Sequence, residues 1–321
     1  MENGLLLIHK LQTYFRTEEG LRKAVDGVSL DIERGNVVGI AGESGCGKST
    51  LSLSIMRLIT KPGRIEGGEI WFDGQNLLSL NDEEMRKIRG KKIGMVFQEP
   101  MTSLNPVFSI GTQISDVVME HEGVSRQKAM ERAIESLDAV FTPNPEKIVN
   151  TFPHQLSGGM RQRAIIAMAL SCNPALLIGD EPTSALDTVT QLEIVKLLKE
   201  LKKKQSMTML LISHNLYFLA EMSDKIAIMY AGNIVESVDS ATIFKDPKHP
   251  YTKGLIESIP KFSGEIKIFK TIRGEPPDLC NIPQGCPFNP RCEYAMDICL
   301  TKKPELVDIE KGHFVACHLY D

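Results

Sequence analysis

The chain has 321 residues, a length that suggests about two domains of ordinary size. Hydrophobic residues make up 42% and charged residues 24%, which excludes a collagen-like or wholly disordered chain. Because 37 Lys and Arg stand against 41 Asp and Glu, the net charge of -4 argues against a nucleic-acid binder that works through bulk positive charge.

Neither a membrane span nor a secretion signal is predicted. The longest apolar run, 164–170, is about a third of the roughly 18 residues that a bilayer span requires. The N-terminal stretch MENGLLLIHK lacks a basic region followed by a long apolar segment and a cleavage site. We therefore expect a cytosolic protein that reaches a membrane only through a partner.

Short runs rich in Val and Ile alternate with helical patterns. Buried strands are predicted at 37–41, 93–96, 175–178, 208–212 and 226–230, with helices at 161–170 and 190–203. This alternation predicts a mainly parallel sheet with helices on both faces. Residues 102–160 are predicted to form an inserted helical subdomain, and a break at 246–250 precedes a tail that is rich in Pro and Cys.

A phosphate-binding loop is predicted where the first of these strands meets a helix. Residues 42–50 spell GESGCGKST and fit the pattern G-x-x-x-x-G-K-[ST]. Glycines let backbone N–H groups close around phosphate oxygens, while Lys48 can reach the β- and γ-phosphates and the Ser49 hydroxyl can bind magnesium. The predicted nucleotide-binding residues of this loop are Gly42, Ser44, Gly45, Cys46, Gly47, Lys48, Ser49 and Thr50.

Two acidic residues follow the buried run at 175–178. Asp180 is predicted to hold the magnesium shell, and Glu181 to orient or deprotonate an attacking water. Two acids at a strand end would mean little alone, but beside a phosphate loop they predict nucleotide hydrolysis.

Residues 156–163, LSGGMRQR, resemble the LSGGQ signature of ATP-binding-cassette (ABC) ATPases, with Met160 in place of the usual Gln. The order of motifs also matches that family: phosphate loop, Gln98, signature, Asp180 and Glu181, SALD at 184–187, then His214. The resemblance implies an α/β P-loop ATPase over residues 1–245. Its core would be a RecA-like parallel sheet, with an N-terminal antiparallel β subdomain and an inserted helical subdomain.

The same resemblance implies roles for single residues. Gln98 would contact magnesium and sense a transmembrane partner, Glu181 would be the general base, and His214 would contact the γ-phosphate. Phe15 fits the position of the aromatic residue that stacks on adenine, with Tyr14 as its competitor.

Two cassettes of this family bind two ATP molecules head to tail. The signature residues Ser157, Gly158 and Gly159 would therefore bind the nucleotide of the opposite subunit, since a helix start with free N–H groups suits a γ-phosphate. Asp187 would act across the same dimer interface.

Three segments, 98–106, 249–253 and 285–292, closely resemble ATPase subunits of dipeptide and oligopeptide importers. The resemblance implies a motor on the inner face of the cell membrane. Its expected partners are two transmembrane permease subunits, a second, paralogous ATPase subunit and, indirectly, an extracytoplasmic peptide-binding protein, with no nucleic acid. Nickel importers share much of this pattern and stay open as an alternative.

Two further alternatives are less favoured. A non-transport ABC ATPase acting on nucleic acid would carry long coiled coils or two cassettes, and would fit a basic chain better than this acidic one. A scaffold that binds ATP without hydrolysing it would require a defect that the sequence does not show, since Glu181 and His214 are both present.

The extension at 246–321 carries a cysteine motif. Cys286, Cys292, Cys299 and Cys317 are spaced C-x5-C-x6-C-x17-C, which is looser than the paired cysteines of ordinary zinc sites. Four thiolates can hold zinc or a [4Fe–4S] cluster, and the resemblance favours the cluster. Cys280 falls outside the motif, and His313 and His318 are possible substitute ligands.

Overall fold

The computed structural model describes residues 4–98, 103–184, 186–259, 271–310 and 312–321. The chain forms two compact units. The first unit comprises Met1–Leu5, Ile32–Val37 and Ser79–Ile212, and the second comprises Leu6–Asp31, Val38–Leu78 and Ser213–Asp321. The predicted domain division after residue 245 stays a prediction.

The strands are β1 (Gly4–Thr17), β2 (Gly20–Glu33), β3 (Val37–Ala41), β4 (Gly63–Phe72), β5 (Gln75–Asn76), β6 (Ile93–Val96), β7 (Leu176–Asp180), β8 (Thr208–Ile212), β9 (Lys225–Tyr230), β10 (Asn233–Asp239), β11 (Val307–Glu310) and β12 (His313–Val315). The helices are α1 (Lys48–Ile55), α2 (Asp82–Ile88), α3 (Ile110–Glu122), α4 (Arg126–Ala139), α5 (Pro145–Ile148), α6 (Gly158–Leu170), α7 (Thr188–Gln205), α8 (Leu216–Met222), α9 (Ser240–Lys245), α10 (Pro250–Glu257) and α11 (Asp297–Thr301). None of these described helices combines the length and hydrophobicity needed to cross a bilayer.

The first unit contains three parallel strands in the order β8-β7-β6. Every residue of these strands is buried, as expected where helices cover both faces of a parallel sheet. The predicted helical insertion is confirmed by α3, α4 and α5. Helices α6 and α7 begin two or three residues before their predicted starts, because the side chains of Ser157 and Asp187 cap them.

The second unit contains the antiparallel sheet β2-β1-β4-β5, which confirms the expected N-terminal β subdomain. It also contains strands in the order β11-β12-β10-β9-β3, of which β3 and β9 are parallel. In the tail, β12 pairs antiparallel with β10, so that Val315 lies opposite Glu236. The sequence-based prediction has no counterpart of β11 and β12, because three or four residues of mixed polarity carry too little periodicity to be recognised.

Candidate active site and cysteine cluster

Two glycines of the phosphate loop are required by close backbone contacts. At Gly47, φ is +109°, and a Cβ atom would lie 1.9 Å from the carbonyl oxygen of Ala24. At Gly42, φ is +156°, and a Cβ atom would lie 2.2 Å from the carbonyl oxygen of Met229. No other residue fits either position. Helix α1 begins directly after Gly47, so strand, loop and helix follow one another as the motif requires.

Lys48 is buried inside this loop. Its ammonium group donates to the carbonyl oxygens of Gly42 and Glu43, each at 2.9 Å. Ser44 and Gly45 are exposed at the tip of the loop, while Ser49 and Thr50 are half-buried on the first turn of α1. Cys46 is buried, and burial raises the pKa of its thiol, which fits a small spacer and not a nucleophile.

The two predicted acidic residues lie in the first unit, where β7 ends. Asp180 and Glu181 are both buried, with exposed fractions of 4% and 8%. Glu181 has φ +51°, and its N–H donates to the carbonyl oxygen of Ile212 at 2.9 Å. A left-handed residue that is not glycine stores strain, and such residues concentrate at functional sites.

The signature and the loop that contains Asp187 meet in the same unit. The Ser157 hydroxyl accepts from the Met160 N–H and starts α6. Asp187 caps α7 and accepts from the Thr190 hydroxyl at 2.6 Å, a bond that lowers the pKa of this carboxyl. A Cβ atom at Gly159 would lie 2.5 Å from the Thr190 methyl group, so this glycine permits close packing of the two helix starts.

Gln98 and His214 are placed just beyond strand ends, on exposed positions. Gln98 follows β6 in the first unit, and His214 lies between β8 and α8 in the second. Residues 99–102 of the segment after Gln98, and Ala185 of the SALD motif, lie outside the described residues.

Phe15 and Tyr14 are the two candidates for the aromatic residue that stacks on adenine, and the structure gives Tyr14 a different partner. The Tyr14 hydroxyl donates to the Asp26 carboxylate at 2.6 Å, and burial together with this bond raises its pKa. The half-buried ring of Phe15 lies over Gly63, where a Cβ atom would approach it to 2.5 Å. Tyr14 is thus committed to another contact, and Phe15 remains the prediction for the adenine-stacking residue.

The four motif cysteines lie close together in the second unit. The pKa of the Cys286 thiol is raised to about 11, chiefly by burial and also by the charges of the other three thiols, on Cys299, Cys317 and Cys292. Each sulfur also accepts from a backbone N–H: from Phe288 to Cys286, from Tyr294 to Cys292, from Met296 to Cys299 and from Leu319 to Cys317. Such bonds stabilise the thiolate, which is the form that binds metal.

The other candidate ligands of the tail have different partners. The His313 ring bonds to Glu236 at 2.7 Å, and both nitrogens of His318 are engaged, by Asp321 and by the carbonyl oxygen of Lys302. Cys280 lies 3.7 Å from the Thr17 hydroxyl, beside Glu19 and Asp278. Within the described part of the tail, the four motif sulfurs are therefore grouped, and His313 and His318 are bonded elsewhere.

A buried carboxylate that sequence reasoning missed ties the tail to β10. Glu236 has no exposed surface and accepts from the N–H groups of Lys248 and His249 and from the ring of His313. The His249 ring is itself buried and accepts from the Tyr251 N–H at 3.0 Å. No local sequence motif predicts this network, because Glu236 is 12 to 77 residues away from its partners along the chain.

We expect His249 to make the second unit less stable in mild acid. Burial lowers its pKa to about 3, against about 6.5 in an unfolded chain, so its contribution is complete above pH 6.5 and is lost as pH falls toward 3. Between pH 6.5 and 5 the free energy of unfolding should fall by roughly 2 kcal/mol more than in His249→Asn, which keeps a capping acceptor. Urea titrations at both pH values measure this, and equal losses would contradict it.

The comparisons with known proteins agree with this geometry. Residues 25–184 match the ABC transporter family, and residues 235–299 match the C-terminal region of oligopeptide/dipeptide transporters. The chain is 46% identical to the oligopeptide transport ATP-binding protein AppD of Bacillus subtilis, over 99% of this chain and 97% of that protein. It is 44% identical to the dipeptide transport ATP-binding protein DppD of Escherichia coli, over 98% and 96%.

Solved structures show the same fold. A dimeric, post-hydrolysis structure of the ATP-binding cassette MJ0796 with ADP and Pi has a TM-score of 0.66 and 30% identity. The match covers 74% of this chain and 99% of the MJ0796 chain. The transporter component cbiO1 of Clostridium perfringens has a TM-score of 0.65 and 26% identity, covering 76% and 92%.

Proposed function

Because this chain belongs to the ABC transporter family of ATPases, we propose that it is the ATP-hydrolysing motor subunit of a peptide importer. The observation that carries the proposal is the likeness to peptide-transport ATPases over nearly the whole chain, tail included. The phosphate loop supports ATP binding on its own, since its glycines and buried lysine stand in the conformation that the motif requires.

For the single residues we propose the roles that the family resemblance implies. Lys48 stabilises the negative charge of the β- and γ-phosphates, and Ser49, Asp180 and Gln98 supply oxygen ligands for Mg²⁺. Glu181 removes a proton from the attacking water, a role that fits its position directly after Asp180 at the end of β7. His214 contacts the γ-phosphate.

A second cassette completes each site. Ser157, Gly158 and Gly159 present the free N–H groups of the α6 start to the γ-phosphate bound by the partner subunit. Asp187 acts across that interface. We propose a paralogous ATPase as the second cassette, two transmembrane permeases that both cassettes move, and an extracytoplasmic peptide-binding protein that delivers the substrate. The chain would lie on the cytoplasmic face of the membrane.

The four cysteines supply thiolates of the kind that hold an iron–sulfur cluster or a single zinc ion. Each sulfur receives a backbone N–H, which stabilises the thiolate form that binds metal. Their spacing is looser than that of the paired cysteines of ordinary zinc sites, which supports the cluster. We propose that Cys286, Cys292, Cys299 and Cys317 hold a [4Fe–4S] cluster, which when bound cross-links the tail and adds folding free energy.

Metal analysis tests the cluster. We expect protein purified without air to contain about four irons and four sulfides per chain, and Cys299→Ser to lose them. Cys280→Ser is the matched control, since Cys280 lies with Thr17 outside the group. One zinc per chain with no sulfide would replace the cluster by a zinc site and leave the proposed motor unaffected.

Uptake by cells tests the transport function. Cells that depend on this chain should lose uptake of labelled di- and oligopeptides when it carries Lys48→Ala, because the phosphate-binding charge is removed. Uptake of labelled Ni²⁺ is measured in the same cells. Loss of nickel uptake with peptide uptake intact would reject the peptide importer in favour of the nickel importer.

A further inference from the structure

The phosphate loop carries an acidic side chain that the proposed mechanism does not use. Glu43 lies directly after Gly42, and its carbonyl oxygen accepts from the ammonium group of Lys48 at 2.9 Å. A free carboxylate at this point of the loop would repel the phosphates of a bound nucleotide, since like charges at such short range cost free energy. What holds the Glu43 side chain therefore affects the affinity of the loop for ATP.

Arg291 holds that side chain in a two-point contact. One guanidinium nitrogen, Nη1, lies 2.7 Å from Glu43 Oε2, and the other, Nη2, lies 3.0 Å from Glu43 Oε1. Paired contacts of this type are strong and directional. Nε of Arg291 donates to the carbonyl oxygen of Arg273 at 2.9 Å, and only 5% of the side chain is exposed. The arginine is thus fixed in the orientation that neutralises Glu43.

The backbone of Glu43 is held from the same side. Its N–H is bonded to the hydroxyl oxygen of the buried Tyr251 at 2.9 Å. The Tyr251 ring packs against Tyr230 and Phe288, with ring centroids 4.5 and 5.4 Å away. Arg291 contacts the loop directly, although it is 248 residues from Glu43, and Phe288 packs against the tyrosine that holds the Glu43 backbone.

Arg291, which holds the Glu43 carboxylate, belongs to the cysteine segment, residues 286–317. Arg291 ends a short 3₁₀ helix, Asn289–Arg291, and is followed at once by Cys292. Phe288 lies between Cys286 and Cys292, and its N–H donates to the Cys286 sulfur. The backbone that positions two of the sulfurs therefore also positions the arginine that faces the phosphate loop.

We propose that Arg291 is a positioning residue for ATP binding, which neutralises Glu43 and holds its carboxylate, and that the cysteine segment controls ATP affinity through this ion pair. The inference rests on the proposed binding of phosphate by the loop. The tail would then act on the motor in a defined way. When the tail is folded, the Glu43 carboxylate is neutralised and the loop binds phosphate. When the tail is unfolded, this carboxylate is left unpaired and lowers the affinity of the loop for ATP.

Equilibrium binding of a fluorescent ATP analogue with Mg²⁺ tests the inference. Arg291→Gln should weaken binding by about tenfold or more, because the Glu43 carboxylate is left without its cation. The double variant Glu43→Gln/Arg291→Gln should recover most of the wild-type affinity, since no charge remains to repel phosphate. The defect of Arg291→Gln should also shrink when NaCl is raised from about 0.05 to about 0.5 M, because salt screens repulsion between charges.

Matched variants separate this effect from a general loss of structure. Arg273→Gln removes an arginine of the tail whose side chain is 84% exposed, and this variant should bind ATP as the wild type does. If Arg291→Gln does not fold, Arg291→Lys, which keeps the charge but not the two-point contact, should show a smaller, salt-sensitive defect that Glu43→Gln removes.

Wild-type affinity in both Arg291 variants, or a double variant as weak as Arg291→Gln, would overturn the coupling while leaving the proposed motor in place. A wild-type chain that binds no nucleotide would instead overturn the proposed function, and the coupling with it.

Discussion

Replacing Glu181 by Gln is expected to lower the rate of ATP hydrolysis by about 10² to 10⁴-fold, which is the contribution of a well-placed general base. The amide has the size of the carboxylate but cannot take a proton from water. The left-handed backbone at this residue should tolerate the change, since φ +51° is equally strained for Gln and Glu. ATP binding should be preserved, because the loop glycines and Lys48 that hold the phosphates are unchanged.

Phosphate release under saturating ATP measures this rate, in the presence of a second cassette. Glu221→Gln serves as the matched control, since Glu221 is an exposed carboxylate on α8. If Glu181→Gln turned over ATP within about threefold of the wild type, Glu181 would not be the base. The variant with bound but unhydrolysed ATP should also accumulate as a cassette dimer, which light scattering detects.

Replacing Gly47 by Ala is expected to weaken ATP binding by roughly 100-fold or more, which corresponds to about 2.7 kcal/mol. The new Cβ atom would lie 1.9 Å from the Ala24 carbonyl oxygen, so the loop must move away from β2. Its N–H groups would then no longer converge on the phosphates. The φ of +109° adds strain even where the backbone shifts.

Gly45→Ala is the matched control for the clash. Gly45 also has a positive φ, +77°, but a Cβ atom there meets nothing within 4 Å. Gly45→Ala should lower the free energy of unfolding by only about 1 to 2 kcal/mol, which is the cost of an L-residue in the left-handed conformation. Isothermal titration with ATP and thermal unfolding of both variants test this. Equal affinities for Gly45→Ala and Gly47→Ala would mean that the contact with Ala24 does not shape the loop.

The parts of this protein that sequence predicts are those whose physics is local. The phosphate loop consists of nine consecutive residues, and β3 and α1 adjoin it in the strand–loop–helix order that the sequence analysis predicts. Buried parallel strands such as β6 and β8 are equally predictable from sequence, because uninterrupted apolar runs are typical of them. The residue roles that a family likeness implies stay predictions.

The features that escaped prediction depend on distant partners. Nothing near Glu43 indicates Arg291, and nothing near Glu236 indicates His313, because each pair forms only when the tail is folded. The short strands β11 and β12 are stabilised by pairing and not by their own composition, since β12 pairs with β10 and β11 pairs with β12. The left-handed conformation of Glu181 is likewise imposed by its surroundings, since a Glu-Pro dipeptide does not by itself favour it.

Helix α6 gives this subunit a stiff connection between two chemical events. Its N-cap residue, Ser157, is proposed to bind the partner's nucleotide. Gln162 lies little more than one turn further along the helix, and its Nε2 donates to the Pro182 carbonyl oxygen at 2.7 Å. Pro182 adjoins Glu181. A packed helix does not compress appreciably, so a displacement at one end is transmitted to the other. We therefore expect ATP hydrolysis at the two sites of a dimer to be cooperative, with a rate that depends sigmoidally on ATP concentration.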